Sequence, residues 1–472
     1  MQVAMTRHMW TAMICGLLTL LLASGVLQLE EVSAQPAPRA PAAPAKVPVV
    51  PAKVFSFPSI DTWKLDNGLT VAFMHVERAP MVAVAVWYHA GSKDEARDRR
   101  GTAHMFEHLM FDGSQHVPPD EHARHIDRLG GYTRATVLED ASFFTNVLPN
   151  EYLDFACRLE AERMRSLLFR PDAIAAERSL LERELRNGGG NPLVRGFWRF
   201  LAVAYSKHPY AWTASGVPGD LAAITPADLQ RFYDTYYTPQ NALLVVVGDV
   251  TKEQVETSAR TWFAAIPGGA AAPRPSAGSA EPAQTEKRRL VVEPGGLGLV
   301  ISGFHVPAAR SDDIHALQVA SLILGAGETS RLHRRLVTTD QTAVQAGSSI
   351  LVREDPGLLT LYGAYTDPAL GGKVEAALAD EVKKLETTLV TPRELTRAKN
   401  QIISSIMGSL TGVAGQAEQI GLAWIQAGDV AAWQSNVARL QAVTAADIQR
   451  VVRQYCNDSN LTTVVIPPRG ER

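Results

Sequence analysis

Apolar and polar positions along this 472-residue chain change character several times. Residues 9–29 form an almost unbroken apolar run. Arg7 and His8 precede it, and small residues including Ser33 and Ala34 follow it. A basic flank, an apolar centre and a small-residue exit predict a cleaved signal peptide over 1–34. The run is also long enough to approach a membrane span, so an uncleaved anchor is the alternative. Residues 35–53 are rich in proline and alanine and predict an extended tether. A second Gly/Ala/Pro/Ser tract at 267–285 divides the rest into halves of similar length, 54–266 and 286–472.

The halves resemble each other. Residues 225–231 match residues 444–450 at an offset of 219, and at the same offset Tyr236 meets Tyr455, Asn241 meets Asn460, and Val245 and Val246 meet Val464 and Val465. Each copy reads as a helix capped by Thr225 or Thr444, followed by a β-rich run. Gene duplication giving two α+β domains accounts for this.

The chain is 46% hydrophobic and 20% charged, an ordinary globular composition. A formal net charge of −3 gives no nucleic-acid footprint. Beyond the signal only Cys157 and Cys456 remain, too few for a disulfide framework; they form either one bridge or, as expected, two buried free thiols.

Candidate chemistry is concentrated at residues 104–108. His104, Glu107 and His108 make H-x-x-E-H, the inverted form of the zinc-protease helix motif. Positions three and four apart share a helix face, so both imidazoles can reach one ion with Glu107 beside them. A catalytic zinc takes three protein ligands and keeps a position open for water. Residues 176–185 predict a charged amphipathic helix that contains Glu177, Glu182 and Glu184.

Together these two segments resemble the pitrilysin/insulinase family, which includes the mitochondrial processing peptidases. That family places a glutamate ligand about 75 residues past the second histidine, and 75 residues separate His108 from Glu184. The resemblance therefore implies His104, His108 and Glu184 as ligands to one Zn2+ per chain, with Glu107 as general base. Glu177 supports a ligand histidine, as a metal-bound imidazole usually requires. Further stretches fit the family in order and spacing: 65–71, 208–210, 237–242, 247–249 and 324–332. The implied fold is two homologous α+β domains facing each other, each an antiparallel sheet packed with helices. Relatives bind an extended peptide along a sheet edge, and residues 130–136 resemble that region. Asp140 matches the family there, and Phe144 stands where tyrosine is frequent. Arg134 replaces the usual asparagine. It either selects acidic side chains or a peptide carboxyl group, or turns to solvent. His116, His122 and His125 fit no ligand pattern and are expected at the surface.

One departure bears on function. Active single-chain relatives carry an arginine and a tyrosine in the second half that bind substrate and stabilise the tetrahedral intermediate. Here Val337 and Val344 align with them, and valine supplies no hydrogen bond. A register slip would recruit Arg335 instead. Some bacterial relatives divide the work between a zinc-bearing subunit and a partner with the Arg/Tyr pair. The chain is thus expected to be an exported, periplasmic or secreted, zinc metalloendopeptidase. Its substrates would be peptides or unfolded segments, and a related partner subunit would complete the site. The alternatives are a non-catalytic scaffold of the same fold and a dedicated maturase of one peptide precursor.

Overall fold

A computed structural model describes residues 56–274 and 280–469. The predicted signal peptide and tether lie outside the described residues. The first half builds a six-stranded sheet from β1 (Asp61–Lys64), β2 (Thr70–His75), β3 (Met81–Tyr88), β4 (Tyr132–Val137), β5 (Ser142–Pro149) and β6 (Ala242–Gly248), in the order β1-β2-β6-β3-β5-β4. The second half builds a five-stranded sheet from β7 (Arg288–Val291), β8 (Gly298–Val306), β9 (Gln345–Leu351), β10 (Gly357–Tyr365) and β11 (Leu461–Ile466), in the order β7-β11-β8-β10-β9. Apart from β1 the two orders are the same.

The expected antiparallel sheets need one correction each. β2 pairs with β6, and β7 with β11, in parallel. A parallel pair requires a long crossover, and the helices between the paired strands supply it. A run such as residues 243–247 shows burial in its composition but not strand direction.

The repeat is visible atom by atom. Thr225 and Thr444 each close a capping box, with Asp228 and Asp447. Asn241 Nδ2 donates to the carbonyls of His89 and Tyr236, and Asn460 Nδ2 donates to those of His305 and Tyr455.

β6 is buried along its whole length and β3 along nearly all of it, because both faces of the first sheet are covered. One face packs on helices of the first half. The other packs on the Val413–Ala427 helix of the second half, through Ala417 and Ile420. The exchange is reciprocal: the Pro192–Ala204 helix lays Phe197, Phe200 and Leu201 on Leu299, Ile301 and Val464 of the second sheet. Gly421 lets the crossing helix lie flush on Trp87, since a Cβ there would stand 2.0 Å from the indole. Trp87 in turn stacks on Phe143 at 3.9 Å. Cys157 and Cys456 are buried free thiols in separate cores. Among the described residues no helix is long and apolar enough to cross a membrane.

Candidate metal centre

The Thr102–Leu109 helix follows β3 and begins at Gly101, whose φ of 101° is left-handed. Glycine adopts that conformation without penalty, and a Cβ here would also strike Leu221 at 2.5 Å. Gly101 has no side chain to cap the helix. Glu95 does it instead: Oε2 accepts from the Gly101 N–H at 3.0 Å and Oε1 from the Ala103 N–H at 2.8 Å. Glu95 had no signal in the sequence, because its role depends on a turn that brings it back over the helix start.

The helix presents His104 and His108 with their rings 5.0 Å apart and nearly perpendicular. The Pro171–Gly190 helix, opened by Pro171 at its first position, packs beside it. Glu184 Oε2 stands 3.7 Å from His104 Nε2 and 3.9 Å from His108 Nε2. Donor atoms from all three residues lie within 4.8 Å of one another. Glu184 Oε2 is buried and has no hydrogen-bond partner among the described residues. Bonds of about 2.0–2.2 Å around a tetrahedral zinc place donor atoms about 3.3–3.6 Å apart. The three residues therefore fit such an ion after small side-chain shifts. Glu177 Oε2 meets His108 Nδ1 at 2.7 Å, which turns Nε2 toward Glu184. Glu182 is directed elsewhere, 3.8 Å from Arg186 on its own helix.

The electrostatics fit a cation. Burial pushes the Glu107 carboxyl up to about 7. Glu184 adds to the rise, while His108 and the Val137 N–H oppose it. Burial likewise raises Glu184 and holds His104 well below the usual imidazole range. His108 is raised: burial works against its charge, but Glu177, Glu184 and Glu107 outweigh it. Two desolvated carboxyls beside two imidazoles are stabilised by a divalent ion. The Thr102–Leu109 helix packs against β4, the terminal strand of the first sheet.

Other predicted residues fall differently. Arg134 is exposed on β4 and pairs with Glu418 of the second half at 3.0 Å, so it is not simply turned to solvent. Asp140 is corrected: it is buried, and its carboxylate accepts from Lys93 Nζ, the Tyr210 hydroxyl and the Glu354 N–H. Phe144 is corrected as well. It is fully buried between Tyr88 and Arg163, with no face left for a ligand. His116 is exposed and His125 half-buried. His122 is not: it is buried with Arg163 Nη2 at 2.8 Å and Asn146 Oδ1 at 3.2 Å. A pairing with residues far along the chain made a buried imidazole look like a surface one. Val344 is exposed and Val337 packs against the second core. Arg335 is committed to Asp380 at 2.9 Å and Glu381 at 3.3 Å. In the second half the Asp313–Gly325 helix follows β8 as the His104 helix follows β3, but its buried face is mainly apolar, with Leu317, Ala320 and Leu324.

A helix-borne His/His/Glu cluster with a second acidic side chain, Glu107, beside it defines a zinc-peptidase-like class. Residues 70–208 match the family model described as insulinase (peptidase family M16), and residues 223–402 match the peptidase M16 inactive domain. The chain belongs to the M16 family. It is 28% identical over 417 residues to the zinc protease PqqE of Helicobacter pylori, covering 87% of this chain and 93% of that one. It is 26% identical over 429 residues to a probable mitochondrial-processing peptidase subunit beta of Arabidopsis thaliana, covering 88% and 80%. The crystal structure of a protease from Helicobacter pylori superposes with a TM-score of 0.81 at 28% identity, covering 87% of this chain and all of that one.

Proposed function

We propose that this chain is an exported zinc metalloendopeptidase for peptides or unfolded segments, working as the zinc-bearing subunit of a heterodimer. The observation that carries the reading is the convergence of His104, His108 and Glu184 donor atoms beside Glu107, on a helix that packs against the edge strand β4. His104, His108 and Glu184 would hold the ion, with Glu177 fixing the His108 ring. Zinc bound there would supply a Lewis acid that acidifies water and polarises a carbonyl. Glu107 takes the water proton and passes it to the leaving amine, and its raised pKa suits both transfers. A peptide adding to β4 by main-chain hydrogen bonds would lie within reach of Glu107. Arg134 and Glu418 would flank its side chains.

The heterodimer reading is supported by Val337 and Val344, which offer no donor to an oxyanion, and by the engagement of Arg335 with acidic neighbours. The relative from Arabidopsis thaliana is itself named as a subunit. Export is supported by the apolar run at 9–29.

The test is hydrolysis of a quenched fluorescent peptide mixture by the mature chain, alone and with an adjacent-gene relative, with Glu107→Gln as control. Activity only in the pair, abolished by Glu107→Gln, supports the proposal. Full activity of the chain alone removes the heterodimer. No activity in either form, with zinc bound, favours the narrow maturase or the scaffold.

A further inference from the structure

A loop of the half without metal ligands reaches the supports of the metal centre. Residues 352–356 join β9 to β10, and residues 353 to 356 each make a polar contact with the first half. Arg353 Nη2 donates to Glu139 Oε1 at 2.7 Å. The Glu354 N–H donates to Asp140 Oδ2 at 3.0 Å, and Glu354 Oε2 meets both Lys93 Nζ and, at 2.6 Å, His89 Nε2. Asp355 Oδ2 lies 3.2 Å from His208 Nε2, and the Pro356 carbonyl accepts from the Tyr205 hydroxyl at 3.0 Å.

Two of these contacts lead toward the reacting groups. Glu139 and Asp140 lie in the turn between β4 and β5, two and three residues beyond Val137, at the end of the strand that packs on the His104 helix. Lys93, buried to 4% exposure, stands two residues before Glu95, which caps the His104 helix. Lys93 also binds Asp140 at 2.8 Å, so Glu354 closes a small network from which both segments start. Interior charges are tolerated only when paired, and losing one partner forces its neighbours to move. Holding two halves together needs no buried lysine. Fixing a turn and a helix cap against each other is a task for a network of fixed geometry.

We infer that Glu354 is a positioning residue for the peptidase centre: the Ser92 and Lys93 N–H groups already donate to the Leu138 and Glu139 carbonyls, and Glu354 braces that junction of the 138–141 turn with the 92–95 segment through Lys93 and Asp140, and so holds the edge strand and the ligand helix relative to each other. The inference rests on the peptidase reading above. Its test compares Glu354→Gln, Glu354→Asp and Tyr205→Phe in the zinc-loaded chain, with the partner subunit present if activity requires it. Tyr205→Phe frees the other end of the same loop without touching Lys93 or Asp140. Glu354→Gln is expected to lower kcat about ten- to a hundredfold, the scale on which a small misplacement of catalytic groups acts. The fall in kcat should exceed any rise in KM, Glu354→Asp should recover part of it, and Tyr205→Phe should leave kcat unchanged. Equal losses in Glu354→Gln and Tyr205→Phe would reduce the loop to adhesion between halves, and an unchanged Glu354→Gln would overturn the inference outright.

Amide hydrogen exchange in Glu354→Asp covers the case in which Glu354→Gln does not fold or the wild-type chain cleaves nothing. Faster exchange at Gly101, Ala103 and the β4 amides supports the inference independently of activity. Faster exchange in residues 352–356 alone overturns it. An inactive wild type counts against the peptidase reading, and the exchange result still decides the role of Glu354.

Discussion

His108 Nδ1 lies 2.7 Å from Glu177 Oε2, so the carboxylate of one helix sets the tautomer and orientation of an imidazole on another. Removing it should loosen metal binding without removing a ligand. Glu177→Ala is expected to weaken zinc affinity about 10- to 100-fold, the usual effect of losing such a support. Titration against a chromophoric chelator measures it, with Glu182→Ala as the control that should change nothing. Equal affinities for wild type and Glu177→Ala would remove Glu177 from the site.

In the proposed mechanism Glu107 moves protons and does not bind the ion. Glu107→Gln should therefore keep its zinc and lose peptidase activity by about 10²- to 10⁴-fold, the range for deleting a general acid–base group. Metal content by plasma spectrometry and turnover of the fluorescent peptides would be read on the same preparation. Loss of zinc in this variant would make Glu107 a ligand.

Burial pushes Glu95 up to about 8 from an ordinary 4.5, despite the two N–H groups that favour its charged form. A carboxyl whose folded pKa is raised contributes stability that is complete below the unfolded value and is lost as pH rises through the folded one. Wild type should accordingly lose stability relative to Glu95→Gln between pH about 4.5 and about 8. Urea midpoints of both proteins across that window provide the measurement. A difference that is flat with pH would show that Glu95 does not titrate there.

The contact between Gly421 and Trp87 leaves no room for a methyl group. Gly421→Ala should cost about 1–3 kcal/mol through overpacking, although alanine is the better helix former. Thermal or urea unfolding tests this. A stabilised Gly421→Ala would mean that the exchanged helix can shift on the first sheet.

Burial drives the thiols of Cys157 and Cys456 upward, that of Cys456 to about 12. Thiolates are the reactive form, so the folded chain should react slowly with a thiol reagent and release two equivalents, one from each of Cys157 and Cys456, in denaturant after signal removal. Fast labelling of either residue in the native protein would contradict the packing described for it.

The sequence by itself determined what is local in origin. The spacing of His104, Glu107 and His108 puts them on one face of any helix they form. The caps at Thr225 and Thr444 need only their own Asp228 and Asp447, and the 219-residue offset carries the duplicated architecture. Glu177 and Glu184 were legible through their distance from His108 and the family pattern. The tertiary structure decided whatever depends on residues far apart in the chain. Asp140 and Phe144 lie close to the edge strand in sequence, yet Lys93, Tyr210 and Glu354 consume the one and the sheet core encloses the other. His122 became an interior residue because Arg163 and Asn146 meet it there. Glu95, Lys93 and Glu354 look like ordinary surface charges in a sequence. A charged side chain does not state its partner, and only the approach of segments more than 250 residues apart turns Lys93 and Glu354 into a buried pair.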